Sequence, residues 1–417
     1  MEKNQKSIIT KILMTLALVV TVAVVGGIQT KAAAAAPTGL KQDYDSKTAV
    51  GVTWNEVASA EAYAVQISSN SSFTDGITGG TYSNSCTIWN DDWSAIAAGK
   101  SYYVRVASID STGNIGAYSA PIEVATRPAT ATKSIKHTKS TTSSVTVNWS
   151  AVSGANTYKV YYSKLGSSSE KSVVVNGKTS VTLKGLSKNS EYLVYVYAGR
   201  KTAAGYTAYE SSGKYKSAIP VTPQKTASVK VRGYYESSGE LSLQWKDARC
   251  VDGYEVQLYT AYKNKDTKVK SFTKKTTSYY ATIKNSNLKK HNFYKVRVRT
   301  YCLDSNGKKY YGGWSSWIYT CQQPDVKKMQ STSKGLKVSW DKIKGADRYV
   351  IYVSTKQKSG YKKYATTKST SKVITKCGSS KLKSGKKYYV YVVAQNKVGK
   401  KYYSGESNYC WYTTYRK

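Results

Sequence analysis

Tryptophan recurs in this sequence at a period that only a chain of like units keeps. Trp54, Trp149, Trp245 and Trp340 are spaced by 95, 96 and 95 residues, and nine residues after each comes a tyrosine: Tyr63, Tyr158, Tyr254 and Tyr349. A second tyrosine, with Gly, Asn or His three residues before it, closes each interval. These are Tyr102, Tyr192, Tyr294 and Tyr388, lying 48, 43, 49 and 48 residues after the respective Trp. Self-similarity at a fixed period signifies an array of modules, and the short interval in the second unit predicts a shorter connection there.

Between these markers the sequence reads as strand. Val50 to Trp54, Val145 to Trp149, Leu241 to Trp245 and Leu336 to Trp340 alternate, as do the runs beginning at Tyr158, Tyr294 and Tyr349, and no long segment keeps a 3.6-residue period. Short alternating strands separated by turn residues indicate an all-β chain of antiparallel sandwiches. Pro37, Pro128, Pro223 and Pro324 stand at unit starts, where a missing ladder N–H does no harm. The expected division is a leader over 1–36 and four repeats over 37–127, 128–222, 223–323 and 324–417. Linkers of a few residues and separate cores predict repeats that melt one at a time.

At these residues the unit resembles a fibronectin type III domain, a family with a Trp on its second strand, a Tyr opening the third and a tyrosine corner at the start of the sixth. Trp54-Asn-Glu-Val57 with Tyr63, Trp149-Ser-Ala-Val152 with Tyr158, and Trp340-Asp-Lys-Ile343 with Tyr349 carry the resemblance. The third unit departs mildly, with Ala248 and Cys250 in that stretch, and the first, with Trp89 and Trp93, diverges most. The resemblance implies four tandem immunoglobulin-like sandwiches of seven strands each. The twelve periodic aromatics then belong to the cores, and a fold of this kind says little about activity.

Residues 1–36 read as a secretory signal peptide: Lys3, Lys6 and Lys11, an apolar run from Ile12 to Val25, then small residues from Ala32 to Ala36. The run is short for a membrane span, so the expectation is a secreted protein with no span after cleavage. Charge is uneven behind it. Residues 37–127 hold nine acids and five bases, a net of −4, whereas 128–417 hold fourteen acids and fifty-five bases, a net of +41. Solubility needs far less than that. An exported chain this basic is drawn to polyanions by a salt-sensitive attraction without sequence preference. Anionic wall polymers, acidic polysaccharides, mucin-like glycans and free nucleic acid all qualify, and specific nucleic-acid recognition is not expected.

Parity from the corner tyrosines turns Tyr195 and Tyr197 outward beside Tyr161, and Tyr389 and Tyr391 outward beside Tyr352. Tyrosines ringed by lysine either form a platform for sugars or pack beneath lysine stems. In the third repeat Trp314-Ser-Ser-Trp317 resembles the Trp-Ser-x-Trp-Ser box of cytokine-receptor fibronectin domains, with Ile318 in place of the closing Ser. Asn306-Gly307, read as a two-residue hairpin, puts Arg299 opposite Trp314 and Arg297 opposite Ser316. Arg297 and Arg299 are therefore expected to stack on Trp314 and Trp317 in a cation–π ladder.

Six cysteines allow fifteen full pairings. The family's loop arrangement implies one in particular, Cys250 with Cys302, and leaves Cys86 as a buried free thiol. No C-x-x-C is present, and the chain holds two histidines, His137 and His291, with no carboxylate or nucleophile at a motif spacing. Asp91-Asp92 falls far short of a calcium shell. No cofactor, metal or catalytic group is expected. Two functions remain: a non-enzymatic secreted or surface spacer and adhesion protein with basic faces for polyanions or glycans, or a polysaccharide-binding accessory to an extracellular glycan-degrading system, working with an extracellular protein partner.

Overall fold

The computed structural model describes residues 35–90, 96–211, 213–222, 228–235, 239–262, 268–275, 278–284, 288–289 and 291–417. The leader up to residue 34, the Asp91-Asp92 pair, Trp93, Pro223 and Lys290 lie outside them. Among the described residues there is no helix, so none is long and apolar enough to cross a membrane. The chain divides into two compact units. One runs to Lys139 and takes in Val145–Leu183 and Glu191–Ile219; the other comprises Ser140–Ser144, Lys184–Ser190 and Pro220–Lys417.

One strand plan occurs four times. In the first repeat Lys41–Asp45, Ala49–Thr53 and Ser85–Trp89 form a three-stranded sheet. Ile77–Thr81, Ala62–Ser68, Ser101–Ile109, Ile115–Tyr118 and Ile122–Ala125 form the five-stranded one. The other three repeats carry the same pair of sheets, antiparallel throughout. The resemblance implied seven strands; eight segments make up the two sheets of each repeat, because the last strand is broken into two pieces that both pair with one neighbour, and the fourth repeat adds a short hairpin of Lys376–Cys377 with Ser380–Lys381. The chemistry of the break is visible in two repeats. Ser119 N–H donates to the Val106 carbonyl (2.7 Å), and Val106 N–H donates to the Ser119 hydroxyl (3.1 Å) instead of to a carbonyl. Ser315 does the same with Val298, at 2.8 and 3.0 Å. A side chain that stands in for a backbone acceptor satisfies the N–H while the chain shifts out of register.

The nine-residue spacing has a physical origin. Trp54, Trp149, Trp245 and Trp340 are at most 5% exposed, and each meets its partner tyrosine ring at 5.0–5.6 Å, edge-on or tilted. The hydroxyls of Tyr63, Tyr158, Tyr254 and Tyr349 then accept the N–H of Val57, Val152, Ala248 and Ile343, three residues after each Trp, at 2.8–3.0 Å. Each pair therefore buries a large ring surface and caps the loop between its own strands. Tyr102, Tyr294 and Tyr388 accept the N–H five residues upstream, from Ala97, Lys289 and Lys383, at 2.7, 2.6 and 2.9 Å. Tyr192, Tyr294 and Tyr388 are buried, and Tyr102 is half-buried.

The third repeat keeps its own core around Trp245, Tyr254 and Tyr294, but part of it reaches into the core of the fourth. Ala261 and Phe293, from the third, lie in one apolar cluster with Trp340, Tyr349 and Tyr388 of the fourth, and Cys321 is buried in it too. Asn396 donates from Nδ2 to the carbonyls of Ala261 (3.2 Å) and Gly345 (2.6 Å), and Phe293 N–H donates to Lys344 (2.9 Å). An apolar residue at a module end buries most surface against its neighbour, so the joint becomes core. The first two repeats meet differently, through polar groups. Asp45 pairs with Arg127 and accepts from the Tyr206 hydroxyl (2.5 Å); Lys47 pairs with Glu210 (3.0 Å), and Ala203 N–H donates to Glu123 (2.6 Å). Backbones touch at this joint. A Cβ on Gly154, whose φ is +80°, would lie 2.6 Å from Gly99 Cα, so neither position admits a side chain.

Candidate functional site

The outward face of each five-stranded sheet is built from residues three beyond the marker tyrosines. These face one another across the two central strands: Gln66 with Arg105, Tyr161 with Tyr195, Gln257 with Arg297, and Tyr352 with Tyr391. The pair alternates along the chain, Gln–Arg in the first and third repeats, Tyr–Tyr in the second and fourth.

Where the pair is Gln–Arg, the cation is enclosed. Arg105 donates to Gln66 (2.7 Å) and lies over Phe73 and Tyr118, 4.1 and 4.4 Å from the ring centres. In the third repeat the ladder is continuous. Lys295 sits 4.7 Å over Trp317; Arg297 lies between Trp317 (4.4 Å) and Trp314 (4.3 Å); Arg299 lies between Trp314 (4.4 Å) and Tyr311 (3.6 Å). Arg297 also donates twice to Gln257 and Arg299 twice to Glu255, at 2.6–3.0 Å. Burial holds the Arg297 guanidinium below its ordinary range. With rings above and below and acceptors at the edge, these arginines have little left to offer a ligand.

The ladder arises from a register other than the two-residue hairpin. Tyr301 pairs with Tyr311 and Leu303 with Lys309, and Asp304 N–H donates to the Lys308 carbonyl (3.0 Å), so the loop from Ser305 to Gly307 has three residues; farther on Tyr294 pairs with Thr320. The Asp304 carboxylate accepts the N–H of Asn306 (2.8 Å) and Lys308 (2.9 Å), with Gly307 at φ +80°. That side-chain turn favours the longer loop. Residues 312–317 then leave the ladder, which brings both tryptophans to one side.

Where the pair is Tyr–Tyr, the face is open. In the second repeat Tyr161 meets Tyr197 edge-on at 5.6 Å, Tyr195 meets the exposed Tyr215 at 5.5 Å, and Lys159 Nζ stands 4.9 Å over Tyr161. The hydrogen bond to Tyr161 holds the Lys159 ammonium above its ordinary range. A cleft of about 450 Å³ opens here, lined by Lys159, Tyr161, Tyr195, Tyr197 and Tyr209 together with Glu170, Glu210 and Ser211. Gly213 lets backbone lie against the Tyr197 ring, since a Cβ there would come within 2.9 Å of it. In the fourth repeat Tyr352 stacks on Tyr391 at 4.8 Å and 17°, Tyr361 leans on Tyr391 at 4.8 Å, and Tyr389 meets Tyr412 at 5.6 Å. Lys387 stands 4.7 Å over Tyr412, and Lys363 is the strand neighbour of Tyr352.

The cysteine pairing implied by the family is corrected: Cys250 and Cys302 form no disulfide, and neither do the other four. Cys302 lies on the inward side of its strand, its Sγ 3.8 Å from the Tyr310 carbonyl, while Cys250 is half-buried in its loop. Burial pushes the thiols of Cys302 and Cys86 up to about 12, which makes both poor nucleophiles. Cys86 is half-buried.

Two features escaped sequence reading. One is the Arg105 clamp of the first repeat, whose only signal is its position three residues after Tyr102, the same as that of Arg297 after Tyr294. The other is a meeting of His291, Asp325 and Asp341, whose ligand atoms lie within 4.8 Å of one another. Separations of 34 and 50 residues carry no motif signal.

Fold and surface together define an all-β protein of tandem immunoglobulin-like sandwiches, with arginine-closed and tyrosine-open faces. Residues 130–212 match the fibronectin type III domain family. Similar solved structures include the FN1–FN3 domains of chicken contactin (CNTN1), at 18% identity and a TM-score of 0.31, covering 70% of this chain and 99% of that one. A two-domain fibronectin type III segment of chicken tenascin has 19% identity and a TM-score of 0.23, with 43% and 98% covered. No curated protein sequence matches the chain.

Proposed function

We propose that this chain is a non-enzymatic, secreted spacer and adhesion protein, held at an anionic surface through charge, whose second and fourth repeats bind acidic glycans on their tyrosine faces. The observation that carries the reading is the alternation of the central pair. Arginines in the first and third repeats are consumed by rings and acceptors, whereas Tyr161–Tyr195 and Tyr352–Tyr391 leave ring surface beside lysines. A sugar ring stacks on a tyrosine face, and lysines beside it draw carboxylate or sulfate groups by a field that salt screens. Two histidines and no motif spacing argue against catalysis by the chain itself.

One observation favours a second reading, a polysaccharide-binding accessory to a glycan-degrading system. The exposed Glu170 lines the second repeat's cleft, and a carboxylate accepts hydroxyls of neutral sugars. The test is a glycan and polyanion array with the full chain at two salt concentrations. Acidic glycans retained at low salt, released at moderate salt, and lost in Tyr161→Ala with Tyr352→Ala support the first reading. Neutral glycans bound at both salts support the second, and binding that ignores the tyrosine substitutions overturns both.

A further inference from the structure

His291 precedes the corner tyrosine of the third repeat, and Asp325 and Asp341 open and close the first hairpin of the fourth. Their backbones are tied before any side chain is considered. Lys344 N–H donates to the His291 carbonyl (2.6 Å), Asn292 and Lys344 form a parallel bridge, and Asp341 N–H donates to the Asp325 carbonyl (3.0 Å). This scaffold points His291 Nε2 at Asp341 Oδ2, 3.4 Å away, with all three ligand atoms within 4.8 Å. Nε2 is buried and makes no hydrogen bond, although a carboxylate oxygen stands beside it. Two atoms bound ~2.1 Å from a tetrahedral ion lie roughly 3.4 Å apart. The separation is that of two ligands of one metal. Lys327 takes the other oxygen, Oδ1, of Asp341 at 2.7 Å and leaves Oδ2 facing the histidine.

We propose that His291, Asp325 and Asp341 form a binding site for a first-row divalent cation, zinc or a relative, bridging the third and fourth repeats. One imidazole nitrogen and two carboxylates are a mixed nitrogen–oxygen set that suits such ions. Calcium takes six to eight oxygens and is not matched. Three protein ligands leave one position for water or for a group from another molecule. Bound metal fastens the two repeats at the edge of their shared core, where Phe293 and Asn396 already join them.

The experiment titrates the untagged full-length chain with Zn²⁺ or Co²⁺ alone at neutral pH, by calorimetry and, for Co²⁺, by visible absorption. One equivalent is expected to bind saturably. Asp325→Asn and His291→Gln are expected to weaken it at least about tenfold, since even second-shell losses cost that much. Lys327→Gln is expected to tighten it by removing a competing cation from Asp341. The chain has two histidines, so NMR of the unsubstituted protein decides without any variant that fails to fold: Zn²⁺ is expected to shift the His291 imidazole signals and leave those of the buried His137 in place. Absence of saturable binding, undiminished binding in both variants, or shifts confined to His137 overturns the proposal.

Discussion

At the scale of single residues, each repeat is held by a tyrosine hydroxyl that accepts a buried N–H. Tyr349→Phe keeps the ring against Trp340 but leaves the Ile343 N–H, a buried donor, without its acceptor. The expected loss is ~1–3 kcal/mol, the cost of an orphaned buried group, read by chemical denaturation; an unchanged midpoint would show that water replaces the hydroxyl. Tyr254 adds a pH dependence. Burial, before any effect of Asp247, pushes its phenol up to about 12, against ~10 in an unfolded chain. The unfolded state therefore releases this proton first. Stability is complete below pH ~10 and declines as pH rises through about 12, with the sign set by the raised value. Denaturation midpoints across that range, compared with Tyr254→Phe, should show a shallower decline in the variant.

At the scale of elements, the third repeat's ladder turns six side chains into one rigid face. Arg297 touches two tryptophans, and at ~0.5–1 kcal/mol per contact these supply about 1–2 kcal/mol. A double-mutant cycle pairing Arg297→Met with Trp314→Leu should give a favourable coupling on the order of 0.5–1 kcal/mol. Zero coupling would reduce the contact to shared burial. The same logic separates the repeats by role: where arginine fills the central position the sheet face is closed, and where tyrosine does, it stays available.

At the scale of the whole molecule, joints decide cooperativity. Phe293 is fully buried in the cluster that contains the fourth repeat's core. Phe293→Ala should cost ~3–5 kcal/mol and lower the melting of the third and fourth repeats together. Calorimetry in which only one of them shifts would show that the shared cluster does not couple them. The uneven charge also finds a partial structural use. Among the described residues of the first repeat, Asp45 and Glu123 are engaged at the joint to the second, so its acidity serves assembly of the array, while the surplus bases lie beyond it.

The periodic Trp and Tyr could be read from the sequence because each is required by its own repeat. A ring that fills a sandwich, and a hydroxyl that caps a loop six residues upstream, need only local spacing, and local spacing repeats. The all-β class and the outward tyrosines of alternate positions follow from parity for the same reason. What lay beyond reach depended on groups brought together across long separations or on a one-residue choice in a turn. Asn306-Gly307 signals a hairpin, but the Asp304 carboxylate, accepting two N–H groups, selects the three-residue loop and with it the path of Trp314 and Trp317. Cys250 and Cys302 share a pole in outline, yet the inward side of the strand claims Cys302 and no disulfide joins the two. His291 reaches Asp325 and Asp341 only after two repeats have packed Phe293 between them. Composition cannot foretell that step, because burial of one apolar ring, and not any property of the three ligands, brings them together.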